Sequence, residues 1–226
     1  EGLEYVSGLA SITDPAELNK TLEANKKHFK GNELRGKTLG VVGLGAIGSL
    51  VADMALTLGM DVIGYDPALS SQVRKADSLS ALFSRSDYVS LHLPALESTR
   101  GLINAELFAV MPEQACLLNF ARQEIVDEAA LLEALDQGRL RKYIADFPSP
   151  ALIGRKNAVL MPHIGASTDE AEDNCAIMAA DQLRDFLENG NIRNAVNWSG
   201  QGGAVWRSPT PTFPKFWAAC CPFWLN

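Results

Sequence analysis

A doubly wound α/β fold, with a parallel sheet flanked by helices, is what this sequence predicts, and three observations predict it. Short apolar runs alternate with helix-period segments between residues 38 and 160, the rhythm of strand–helix–strand units. The first run, 38–42, ends in Gly43-Leu-Gly45-Ala-Ile-Gly48 and passes directly into a helical pattern that stops at Gly59. A second run, 61–65, then closes on Asp66.

That glycine spacing occurs by chance in many proteins, but here it opens a helix after a strand, with an acidic residue following at a dinucleotide-site interval. The glycines have separate tasks: a tight turn at Gly43, bare backbone for pyrophosphate at Gly45, and close packing of helix on strand at Gly48. Ala46 and Ile47 begin the helix, whose free N–H groups and positive dipole end face the phosphates. Asp66 accepts hydrogen bonds from the adenosine ribose and repels a 2′-phosphate, so the cofactor expected of this Rossmann-type sheet is NAD.

The other elements follow in order. Asp14-Pro15-Ala16-Glu17 starts a helix by capping and by Pro at its first position, and Gly31 is its expected stop. Leu18, Leu22 and Phe29 share a face; Lys20, Lys26, Lys27 and Lys30 form a solvated one, and His28 lies on the surface. Helices are expected at 78–83, 104–111 and 127–135, the last stopped by Gly138, and strands at 88–93, 115–120, 142–145 and 158–160. A final helix over 168–188 starts at Ser167 or Thr168 and ends at Gly190. Its stripe of Ala171, Cys175, Met178, Ala179, Leu183 and Phe186 reads as core packing. Ligands on such sheets bind beyond the strands' C-terminal ends, which singles out Gly43 to Gly48, Asp66, His92, Pro94, Arg122, Asp146 and His163.

Composition narrows the function class. The 226 residues are 47% hydrophobic and 21% charged, as in ordinary globular proteins, and suffice for one large or two small domains. A net charge of -7 and a pI near 5.0 argue against nucleic acid or an anionic membrane as partner. Cys116, Cys175, Cys220 and Cys221 lack metal-ligand spacing, so reduced thiols, no metal and a cytoplasmic setting are expected. The stretch 39–60 carries only the charge of Asp53, but its two halves differ in periodicity, which argues against a membrane span. No signal peptide or initiating Met is visible, and the chain begins as a fragment would.

Taken together, GKTLGVVGLGAIG (36–48), SLHLP (90–94), NFAR (119–122) with IVDEAALL, DFP (146–148) and MPHIGAST (161–168) resemble the D-isomer-specific 2-hydroxyacid dehydrogenases, in particular the bacterial branch acting on D-3-phosphoglycerate. The resemblance covers about residues 34–198. It implies NAD-dependent oxidation of a small-molecule 2-hydroxy acid in serine biosynthesis, and a homodimer joined through the nucleotide domain. Arg122 would clamp the substrate carboxylate with its planar fork, and His163 would take the hydroxyl proton. It further places His92, Pro94, Phe120, Ala121, Asp146 and Gly165 around the cofactor. The implied division is a connecting helix region (1–35), the NAD-binding domain (36–167), a helix returning toward the substrate domain (168–198), and an irregular tail (199–226). Flanking helices would then be remnants of the substrate domain.

Four departures from the family pattern stand out. No glutamate lies between Asp146 and His163, where the family has one paired with the histidine, so weakened catalysis is expected; Asp146 is a candidate stand-in. Gln123 stands where glycine is usual; if the position needs positive φ this costs about 1 kcal/mol. The N-terminal substrate loops are missing, so NAD should be held better than substrate. Finally, the tail carries Trp206, Phe213, Phe216, Trp217, Phe223 and Trp224 among prolines, a composition unlike a domain or a linker. Bases encoding 212–225 can read, in a neighbouring frame, as the start of a regulatory domain, so a frameshifted tail is expected, with the coding DNA as arbiter. A non-catalytic NAD(H)-binding module is the other functional class these departures suggest.

Overall fold

The computed structural model describes residues 2–66 and 73–194. The chain divides into two compact units, Glu1–Leu160 and Met161–Asn226. The aromatic tail, and with it Cys220 and Cys221, lies outside the described residues.

Among the described residues of the first unit, seven strands form one sheet: β1 (Thr38–Val42), β2 (Asp61–Tyr65), β3 (Arg74–Lys75), β4 (Tyr88–Leu91), β5 (Ala115–Asn119), β6 (Leu140–Ala145) and β7 (Ala158–Leu160). Their order is β3-β2-β1-β4-β5-β6-β7, and every neighbouring pair is parallel. The chain winds outward from β1 in one direction to β3, then restarts at β4 on the other side of β1. The point of reversal, between the C-terminal ends of β1 and β4, is where an open parallel sheet offers a crevice to a ligand.

Burial on both faces explains why β1 reads as a continuous apolar run. Leu39 and Val41 join a small core with Ala52, Ala55, Met60 and Val62, whereas Val42 joins a larger one with Phe83, Val89, Leu91 and Leu117. The helices of this unit are α1 (Gly2–Ser7), α2 (Pro15–Asn25), α3 (Ala46–Thr57), α4 (Leu79–Phe83), α5 (Ala105–Val110) and α6 (Glu128–Asp136). Side chains cap α2, α4, α5 and α6: Asp14, Ser78, Asn104 and Asp127 each accept a first-turn backbone N–H. The stretch 39–60 resolves into a strand, a turn and α3, and no helix among the described residues is long and apolar enough to cross a membrane.

Several boundaries differ from the sequence expectation. α2 gives way at Lys26 to a 3-10 turn, Lys26–Phe29, before Gly31 is reached. The Lys26 N–H still donates to Leu22 O, and the Asn25 side-chain amide donates to the Thr21 carbonyl at 2.9 Å, a side-chain bond to the backbone at the helix's end. β4 stops at Leu91, short of residue 93: His92 N–H donates to Val42 O at 2.8 Å, and Pro94 then removes the donor that would extend the ladder. β6 begins at Leu140, two residues early, because Arg141 and Lys142 mask its apolar pattern. The Arg141 guanidinium is occupied by Cys116 Sγ and Tyr88 Oη, at 3.1 and 3.2 Å from Nη2. α1 and the two-residue β3 had no sequence signal.

In the second unit, α7 (Asp169–Asn189) is capped by the Thr168 hydroxyl and ends at Gly190 with φ 73. Its apolar stripe is not core: no residue of α7 is buried, and Met178 is 53% exposed. α7 is the sole helix or strand among this unit's described residues, and a lone helix has no second layer in which to bury a face.

Candidate functional site

Five strand ends of the parallel sheet bring the first-unit candidates to one edge. Gly43 to Gly48 follow β1, Asp66 follows β2, His92 and Pro94 follow β4, Phe120 to Arg122 follow β5, and Asp146 follows β6. His163 and Gly165 follow β7 but belong to the second unit, where both are exposed. There the Ile164 N–H donates to Pro162 O at 2.8 Å and the Ser167 N–H to Ile164 O at 3.1 Å.

The glycine turn is shaped by close approach. Gly43 has φ 91, and a side chain there would overlap the His92 carbonyl, whose carbon would lie 2.9 Å away. At Gly48 a Cβ would intrude on the Gly43 carbonyl oxygen and lie 3.4 Å from His92 Cβ. At Gly45 nothing lies within 4 Å, so bare backbone faces open space. Gly45 is also the N-cap of α3, with no side-chain cap hydrogen bond, unlike the residues that cap α2, α4, α5, α6 and α7. A helix start with open space and no capping side chain presents N–H groups and a positive dipole end to an anion. Ala46 and Ile47 form its first turn, with Ile47 53% exposed.

Asp66 Oδ2 accepts the Leu44 N–H at 2.8 Å, which ties the end of β2 across to the glycine turn. His92 is half-buried, and its Nε2 lies 2.9 Å from Ser90 Oγ. Burial holds the His92 imidazole below its ordinary 6.5, so the ring is neutral at pH 7. Pro94 is exposed, Phe120 partly so, and Ala121 is buried.

Arg122 is half-buried in extended backbone, with Nη1 donating to Ala121 O at 2.7 Å. Gln123 starts a 3-10 turn, Gln123–Ile125, and is not among the positive-φ residues, so the glycine-to-glutamine departure carries no strain. Asp146 is 7% exposed, and its buried Oδ1 has no hydrogen-bond partner among the described residues. An unsatisfied buried carboxylate oxygen at a sheet's ligand edge suits a donor such as a carboxamide N–H. Open backbone at Gly45, an uncapped helix start, an acid at Asp66 and this orphaned acceptor fit a dinucleotide with an amide-bearing ring. Among the described residues no group of His, Cys, Asp and Glu is placed to hold a metal ion.

Sequence reasoning missed the residues behind the turns. Asn119, fully buried, donates to Arg122 O at 2.9 Å and to Tyr143 Oη at 3.2 Å, and accepts from the Ala121 N–H. Ser149 Oγ donates to Glu128 Oε1 at 3.0 Å, joining α6 to the segment after Asp146. A polar Asn at the end of an apolar strand was a readable signal; Tyr143 inside β6 was not.

Comparison with known proteins points to one family. Residues 9–165 match the D-isomer specific 2-hydroxyacid dehydrogenase family, NAD binding domain. The chain is 40% identical over 200 residues to a D-3-phosphoglycerate dehydrogenase of Synechocystis, covering 81% of this chain and 36% of that protein. It is 38% identical over 187 residues to the protein of the same name from Methanocaldococcus jannaschii, covering 77% of this chain and again 36% of the relative. It thus spans about a third of the length of these relatives. Among solved structures, NAD+-bound 3-phosphoglycerate dehydrogenase of Entamoeba histolytica superposes with TM-score 0.68 at 33% identity, covering 81% of this chain and 64% of that one. D-mandelate dehydrogenase of Rhodotorula graminis gives 0.69 at 30% identity, covering 81% and 57%.

Proposed function

The chain belongs to the D-isomer-specific 2-hydroxyacid dehydrogenases, whose NAD-binding domain it carries, and from that premise we propose that it serves NAD-dependent oxidation of 3-phosphoglycerate to 3-phosphohydroxypyruvate. The observation that carries this reading is the gathering of Gly43 to Gly48, Asp66, Arg122 and Asp146 along one edge of the parallel sheet. The nicotinamide of NAD supplies the hydride acceptor. The chain's own residues do the rest. Gly45 and the start of α3 hold the pyrophosphate through backbone N–H groups. Asp66 takes the ribose hydroxyls, and Asp146 Oδ1 accepts the carboxamide N–H. His92, Pro94, Phe120, Ala121 and Gly165 border the cofactor. Arg122 clamps the substrate carboxylate, and His163 removes the hydroxyl proton.

In this reading 36–167 is the nucleotide domain, 1–35 a connecting helical region, 168–198 the helix returning to the substrate side, and 199–226 a tail without a role in the chemistry. The setting is cytoplasmic and the partner a second copy. Leu50 and Met54 on α3 and Leu58 just after it, each more than half exposed, support that pairing. A second reading, a module that binds NAD(H) without catalysis, is favoured by the lack of a glutamate between Asp146 and His163.

Fluorescence titration with NADH followed by a turnover assay with 3-phosphoglycerate separates the two. Turnover abolished by His163→Ala is the expected result. NADH binding without turnover establishes the module instead.

A further inference from the structure

The turn that carries Arg122 has a support beneath it which the reaction itself does not use. Asn119 ends β5, and its side chain spends three of its hydrogen-bonding positions locally: one N–H on the Arg122 carbonyl, the other on the Tyr143 phenol, and Oδ1 on the Ala121 N–H. The bond to Arg122 O spans three residues and closes a tight turn, the local use that suits asparagine. The guanidinium then doubles back onto Ala121 O at 2.7 Å. Asn119 thus bonds the Ala121 N–H and the Arg122 carbonyl, on either side of the Ala121 carbonyl that receives the guanidinium.

Asn119 in turn depends on Tyr143. The phenol stands on β6, whose Tyr143 pairs with Leu117 and whose Ala145 pairs with Asn119 itself, so the side-chain bond crosses between β5 and β6 just before the ladder ends. Tyr143 is 2% exposed and lines a cavity of about 170 Å³ with Gln123, Glu128, Phe147 and Leu152. Burial, chiefly, raises the Tyr143 phenol above its usual range, and the Asp146 and Glu128 charges add to this; the hydroxyl remains intact at neutral pH. The residues directly after Arg122 and Asp146, Gln123 and Phe147, line the same cavity, so both site-bearing turns contribute a residue to the space beside Tyr143.

We propose that Tyr143 and Asn119 are a positioning pair that aims Arg122: the Tyr143 hydroxyl holds the Asn119 amide, and the amide holds the Arg122 backbone. The inference rests on the reading of Arg122 as the substrate clamp. A planar guanidinium gripping a carboxylate with two hydrogen bonds tolerates little misalignment, so loosening its backbone should weaken substrate rather than cofactor.

Tyr143→Phe removes the hydroxyl and keeps the ring. Expected are amide hydrogen exchange in 119–125 about tenfold faster with exchange in 38–48 unchanged, as for the loss of one buried hydrogen bond. NADH affinity should stay within about twofold, while oxalate, which presents a carboxylate beside a second oxygen pair, should bind the NADH complex about tenfold more weakly. Should Tyr143→Phe melt too low to measure, Asn119→Ser carries the same comparison. Unchanged exchange in 119–125 overturns the proposal. So does faster exchange with unaltered oxalate affinity, since the pair would then be structural only. A native chain that binds NADH but no oxalate overturns the clamp reading instead, and exchange alone then decides whether the pair sets the Arg122 backbone.

Discussion

Two alanine substitutions three residues apart should have opposite signatures. In Gly48→Ala the new Cβ intrudes on the Gly43 carbonyl oxygen, 3.0 Å from the carbonyl carbon and 3.4 Å from His92 Cβ. These are backbone atoms and the root of a side chain, which cannot swing aside. Gly43 O is further confined because its own residue, at φ 91, lies against the His92 carbonyl. The start of α3 must therefore retreat by about an ångström, an overpacking that costs about 1–3 kcal/mol and lowers the melting temperature by about 2–12 °C. In Gly45→Ala the Cβ meets nothing within 4 Å, and φ is -67, so the unliganded protein should melt as the parent does. That Cβ occupies the space assigned to the pyrophosphate, and the loss of a charge-assisted N–H contact there weakens binding about 10- to 150-fold, from about 1.5–3 kcal/mol. Differential scanning fluorimetry without ligand and NADH fluorescence titration measure both quantities. The reasoning is refuted if Gly45→Ala binds NADH within twofold of the parent, or if Gly48→Ala melts with it.

Two further outcomes follow from buried polar groups. His92 is held below 6.5 by burial, so between 6.5 and its folded value the unfolded chain binds the extra proton; its share of stability is full above 6.5 and declines as pH falls, by at most about 1.4 kcal/mol per pH unit. His92→Gln should flatten the fall in melting temperature between pH 7 and 5, and identical slopes in the two proteins would falsify this. Asp146→Ala removes a buried oxygen with no hydrogen-bond partner among the described residues, an effect of about 1–3 kcal/mol. The variant should melt no lower than the parent without ligand and bind NADH more weakly; a clearly lower unliganded melting temperature would show that Oδ1 is satisfied in the free protein.

What could be read without coordinates was the part governed by local rules. The apolar run at 38–42, the glycines after it and the acid at Asp66 mark a strand, a glycine turn and a helix left uncapped, because the pattern that marks each is read along a short stretch of sequence. Caps at Asp14, Ser78, Asn104, Asp127 and Thr168 mark helix starts for the same reason. Alternation of the elements implied a parallel sheet, and a parallel sheet places all its strand ends on one edge, so Arg122 and Asp146 could be nominated from their positions alone.

Tertiary structure decided what depends on partners far along the chain. Gln123 reads as a strained replacement for glycine until its backbone is seen in a 3-10 turn. The stripe on α7 reads as core, because periodicity records which residues share a face and not whether anything covers it. Tyr143 looks like one more apolar strand residue, yet its hydroxyl meets Asn119 across 24 positions of sequence. The orphaned Asp146 Oδ1 is seen only once the folded chain buries it. Sequence alone determined the nucleotide-binding turn, since the strand, the glycine spacing and the helix that mark it lie within a few residues of one another; the close approach of His92 to that turn, the support of Arg122 and the unmet acceptor at Asp146 arise from packing between strands, which no local pattern encodes.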